Sequence, residues 1–123
     1  MTKAEFEDWL RSYGRAWESR DPGAAAALFT EDARYYKTPF RKPALGRDGI
    51  REYWAAATVK QRDVRFSYEI LSIQDEQGIA RWSVDYSRHQ EGEGVRLDGI
   101  FVLKFDGAGQ CQELREWWHR FDP

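Results

Sequence analysis

Glu116 is the residue of this 123-residue sequence whose setting best suits proton transfer. In the late segment LREWWH, strand alternation puts Leu114, Glu116 and Trp118 on one face and Arg115, Trp117 and His119 on the other. If that face is turned to a closed interior, a carboxyl group on it loses water, its pKa rises and it can serve as a general acid or base. The competing role is a structural ion pair with Arg88 or Arg81. Tyr13 and Tyr36 are the candidate donors that would polarise a carbonyl oxygen. A bulge in the strand around Tyr36 would hand its place to Tyr35.

Other titratable residues point elsewhere. Asp85 and Asp98 fall on the opposite faces of their own strands, where they can pair with Arg96 or Arg115. His89 and His119 have no third convergent partner at metal spacing, so no metal site is expected and no cofactor is implied. His89 borders a glycine-containing turn and reads as solvated. The single cysteine, Cys111, excludes an intramolecular disulfide and reads as an inert strand residue. Nineteen basic against 21 acidic residues give a net charge of −2, which argues against nucleic acid or an anionic membrane as partner. Only the stretch from Lys37 to Arg47 is locally basic, a solvated rim able to attract an anionic substrate. No apolar run approaches membrane-spanning length and no leader pattern opens the chain, so a cytoplasmic location is expected. With 41% hydrophobic and 33% charged residues, the composition suits a globular fold. The length suits one domain over 1–123.

The elements that must position these residues are legible from their periods. Phe6, Trp9, Leu10, Tyr13 and Trp17 recur at three- and four-residue steps and predict a first helix with one aromatic face. Gly14 inside it requires a close neighbour or a bend. Asp21 and Pro22 start a short second helix to Phe29, with Ala24, Ala27 and Leu28 expected on its buried stripe. A brief strand from Ala33 to Tyr36 follows. A third helix is expected from Asp48, its cap, to Ala57, facing Ile50, Tyr53, Trp54 and Ala57 inward. Alternation then predicts four strands, around Val64–Ile70, Ala80–Tyr86, Val95–Phe105 and Leu114–His119, with turns at Asp75–Gly78, Gln90–Glu93 and Asp106–Gly109. Helices followed by an antiparallel meander make an α+β fold, a curved sheet wrapped around the amino-terminal helices into a cone with an interior. Ile100, Val102 and Trp117 would face outward as an apolar patch, which predicts a homodimer through the outer sheet face.

Four stretches carry a resemblance over essentially the whole chain: Tyr13 eight positions before the Asp21 turn, LFTEDARYY, GRDGIREYW from Gly46 to Trp54, and FDGAGQCQELREWW from Phe105 to Trp118. In their order and spacing the chain resembles the nuclear transport factor 2-like superfamily, in its SnoaL-like and ketosteroid isomerase-like branch. That resemblance implies a conical α+β barrel with a ligand cavity inside. Tyr13 falls at the position of the isomerases' helix tyrosine. Trp54, Phe101 and Lys37 or Thr38 stand where those enzymes carry a supporting tyrosine, an oxyanion-holding aspartate and a base aspartate. Phenylalanine donates no hydrogen bond, so steroid isomerisation by that mechanism is not expected. Trp17, Phe40, Trp54, Trp82, Tyr86, Phe101 and Trp118 would wall the cavity for a hydrophobic or aromatic small molecule, or else fill it. The resemblance implies a SnoaL-like small-molecule-binding protein. Two classes stay open: a cofactor-independent isomerase, cyclase or dehydratase acting on a hydrophobic carbonyl compound, and a noncatalytic ligand-binding or dimeric association module.

Overall fold

Thr2 begins the first helix with a reciprocal cap. Its hydroxyl accepts the Glu5 amide at 3.1 Å while the Glu5 carboxylate accepts the Thr2 amide at 2.7 Å, satisfying two donors that a helix start leaves open. The computed structural model describes residues 1–88 and 94–122, so His89 and the turn expected at Gln90–Glu93 lie outside the described residues. Helix α1 (Lys3–Glu18) buries Phe6, Trp9, Leu10, Tyr13 and Trp17, the expected face. Gly14 is explained by a ring and not by a bend. A Cβ there would lie 2.6 Å from the Phe66 side chain.

Helix α2 (Pro22–Ala26) is capped as expected by Asp21, whose carboxylate accepts the Ala24 amide at 3.0 Å. It ends earlier than the sequence suggests and buries Ala25 and Ala26, leaving Ala24 and Ala27 exposed. The reason is that Phe29 already belongs to strand β1 (Phe29–Tyr36), where it packs edge-on against Trp9. A two-residue strand β2 (Ala44–Leu45) leads into helix α3 (Gly46–Thr58). Its cap residue is Leu45, with no side-chain bond, and Asp48 sits within the first turn, where its charge suits the helix dipole. Ile50, Trp54 and Thr58 are buried.

Strands β3 (Gln61–Gln74), β4 (Gln77–Arg88), β5 (Gly94–Phe105) and β6 (Cys111–Phe121) form the antiparallel meander. The sheet order is β2-β1-β6-β5-β4-β3, and β1 joins β6 in parallel, so the six-stranded sheet is mixed. It is curved but does not close, with β2 and β3 at its two edges. The helices cover its concave face with a core rich in aromatic rings: Tyr13 stacks on Trp9 at 5.1 Å and meets Trp54 and Phe101 edge-on at 5.2 and 5.4 Å. Ring pairs at such angles gain beyond their buried area, and this geometry fixes which side chains reach the concave face near its open end.

Candidate active site

Glu116 is only 5% exposed and looks into the concavity. Strand β6 puts it there by alternation, opposite Phe101 of β5. The contrast with Glu113 on the outer face is instructive. Glu113 meets Arg34 at 3.2 Å, Lys104 at 3.5 Å and Arg115 at 3.8 Å. Partial burial works to raise its pKa, but the hydrogen bond and charge of Arg34 and the charge of Lys104 outweigh it and hold the carboxyl below its ordinary range.

Among the described residues Glu116 has no such company. Arg81 is engaged by Asp98 at 3.0 Å and Arg88 by Asp122 at 2.8 Å, so neither expected counter-ion turns inward. Desolvation pushes the Glu116 carboxyl up to about 8, against one favourable group, the hydroxyl of Tyr35. Tyr35 in turn lies 2.8 Å from the hydroxyl of Tyr13. Tyr35, which favours the ionised Glu116, and Tyr13 beside it link helix α1 to strand β6 through buried hydroxyls, and either phenol can be the donor between them. Burial first, and then the neighbouring Glu116, push both phenols well above their ordinary range, so they act as hydrogen-bond donors and not as bases.

A cavity of about 150 Å³ opens beside Glu116. Trp17, Trp54, Trp82, Tyr86 and Trp118 line it, together with Tyr35, Tyr53 and Leu97. Gln61 contributes a fixed amide, because its Oε1 accepts the indole N–H of Trp17 at 2.8 Å. Trp82 has a buried indole N–H with no acceptor among the described residues. A donor left so costs about 1–3 kcal/mol, which an acceptor on a bound molecule would offset. At the mouth Trp118 is 42% exposed, and Arg120, also in the lining, is held by Asp122 at 2.7 Å.

The family-model comparison decides the lineage: a SnoaL-like domain matches over residues 10–114. The chain belongs to the SnoaL-like domain family, within the nuclear transport factor 2-like superfamily. A steroid Δ-isomerase of Nocardioides simplex is 26% identical over 115 residues, covering 94% of this chain and 90% of that protein. Among solved structures, an epoxide hydrolase/cyclase-like enzyme of pyran ring formation in polyether salinomycin superposes with a TM-score of 0.83 at 16% identity, over 98% of both chains. A Δ5-3-ketosteroid isomerase from a Mycobacterium species does so with a TM-score of 0.78 at 15% identity, over 94% of this chain and 93% of the other. At these identities the structural likenesses establish the fold.

Within this SnoaL-like fold three expected site residues lie elsewhere. Phe40 is 90% exposed on the segment between β1 and β2 and does not line the cavity, because Pro39 and Pro43 hold that segment off the sheet. Phe101 is fully buried but belongs to the packed floor, stacked on Trp82 at 5.1 Å. Tyr36 is half-buried and outside the lining. Alternation from Ala33 carries Tyr35 inward instead, after a register irregularity between Phe29 and Arg34. Tyr13 is fully buried behind Tyr35 and supports the site without lining it. Asp85 pairs with Arg96 at 2.7 Å, as expected, whereas Asp98 takes Arg81 as its partner. Cys111 is buried, its thiol pushed up by desolvation. Gln61 and Thr58 had no signal in the sequence, whereas Arg120 shares the strand parity of Glu116 and Trp118 and was there to be read.

Proposed function

We propose that this SnoaL-like chain is a cofactor-independent acid–base enzyme, acting as isomerase, cyclase or dehydratase on a hydrophobic carbonyl compound, with Glu116 as the proton-transfer group. The observation that carries the reading is a buried carboxyl, in the wall of an aromatic cavity, that no cation pairs with among the described residues, its pKa raised to about 8. A group poised near neutrality exists in both protonation states, so it can take a proton from carbon and return it elsewhere. Tyr35 holds the carboxyl in place, and Tyr13 holds Tyr35. Tyr53 in the lining, whose phenol burial keeps protonated, and the N–H of Trp82 are the donors available to a substrate oxygen.

The isomerase and cyclase activities of the similar proteins agree with this reaction class. A steroid is a poor fit for this chain, since a cavity of about 150 Å³ is small and roughly that volume accommodates a benzene-sized ring. We further propose that the outer sheet face, where Trp117 is 46% exposed beside Ile100, supports a homodimer.

The test is the Glu116 carboxyl itself. Followed by NMR, it should titrate near 8. Against a substrate of the proposed class, Glu116→Gln should keep the shape and lower turnover by roughly 10²–10⁴-fold. An ordinary carboxylate titration, or an unimpaired variant, would move the reading to a noncatalytic binding module.

A further inference from the structure

Two residues of the cavity lining touch a cation that no acid pairs with among the described residues. Lys37 follows directly on strand β1, and its ammonium lies over the ring of the cavity-lining Tyr53, 4.9 Å from the centroid. Its carbonyl accepts the indole N–H of Trp118 at 3.2 Å, which fixes the Lys37 backbone to a second residue of the lining. Among the described residues no carboxylate pairs with Lys37, Arg41 or Lys42, and the segment 37–43 contains no acid. Three strand arginines differ. Arg34, Arg81 and Arg96 each have a carboxylate partner, and at the mouth Arg120 is taken by Asp122.

We propose that the substrate is a small carboxylic acid, its apolar body of about one ring seated in the aromatic cavity and its carboxylate resting on the Lys37 ammonium at the rim. This rests on the reading of the cavity as a substrate site and specifies what that site selects. The volume of about 150 Å³ leaves room for the ring and keeps a further polar group at the entrance. The orientation follows from charge. Inside, an anion would lose its water among indole rings and face the Glu116 carboxyl, whereas at the rim it meets a positive charge and stays partly hydrated. The face of the Tyr53 ring already attracts the ammonium, so less ordering is left for the ligand to impose.

Phenylacetate and its neutral isostere phenylacetamide separate the charge from the ring. Calorimetric titration of the full chain should show the acid bound about threefold to fivefold tighter than the amide, the order of one exposed ion pair. The preference should vanish in Lys37→Met and fade at high salt, while the amide binds the variant as it binds the wild type. Equal affinities in the wild type, a preference surviving in Lys37→Met or lost instead in Arg41→Gln/Lys42→Gln, or no binding of either probe would each overturn the proposal. Titrating Glu116 in the same sample keeps the two readings apart. A raised Glu116 without acid preference refutes the carboxylate assignment alone, and an ordinary Glu116 refutes proton transfer whichever probe binds.

Discussion

Two glutamates three residues apart on one strand have opposite electrostatic fates. Glu113 is surrounded by cations on the outer face, and among the described residues Glu116 has a phenol and no cation as its partner on the inner one. Tyr35 therefore carries a clear residue-scale expectation. Its hydrogen bond is what opposes desolvation at Glu116, so Tyr35→Phe should raise the Glu116 pKa above its value near 8. The same change leaves the Tyr13 hydroxyl buried without its partner, and stability should fall by about 1–3 kcal/mol. NMR titration and denaturant unfolding of the one variant check both effects. A Glu116 pKa that stays put or falls would show that the phenol does not hold the carboxyl.

At the scale of the element, the position of Glu116 and Trp118 depends on how closely β6 approaches β5. Gly99 pairs with Trp118, and a Cβ at Gly99 would clash with the Trp117 carbonyl oxygen and lie 2.7 Å from the Trp118 Cβ. Backbone on one side of that clash cannot swing aside as a side chain would. Gly99→Ala should push β6 outward at the cavity mouth and destabilise the fold by about 1–3 kcal/mol, with a shift in Trp118 fluorescence. A midpoint equal to the wild type would show that the strands are not in this register. The segment between β1 and β2 works differently. Lys37 anchors its start to Trp118 and Tyr53, while Phe40 stands in solvent.

The whole molecule should register the buried carboxyl as pH-dependent stability. Below the ordinary value of 4.5 both folded and unfolded chains hold the Glu116 proton; between 4.5 and about 8 the unfolded chain releases it while the fold keeps it. Unfolding is therefore favoured progressively as pH rises through that window, by on the order of a few kcal/mol in full. Glu113 has the opposite sign: its lowered pKa gives stability that is present above 4.5 and lost as pH falls through its folded value. Thermal unfolding from pH 5 to 8 should show the wild type losing stability and Glu116→Gln nearly flat across the same range. A wild-type profile as flat as that of the variant would mean that Glu116 is solvated. Assembly is the second expectation at this scale. Sedimentation at micromolar concentration should give a mass near twice 14.5 kDa, and a concentration-independent monomer would remove the homodimer.

The sequence by itself determined the aromatic face of α1, the alternation of the four long strands and the shared parity of Leu114, Glu116 and Trp118, because local periods of about 3.6 and 2 decide which residues share one side of an element. The Asp21 cap was legible for the same reason, since a cap is made within one turn. The tertiary structure alone decided the rest. Whether Glu116 is ionised depends on where Arg81 and Arg88 find their partners, and those partners are Asp98 of β5 and Asp122 beyond β6. The choice of Tyr35 over Tyr36 depends on a strand that begins at Phe29 and changes register against β6 before Arg34, a parallel pairing with no local signature. The exclusion of Phe40 and Phe101 from the cavity likewise depends on where separate layers meet. One falls in the exposed segment, the other in the packed floor, and hydrophobicity along the chain is the same for both.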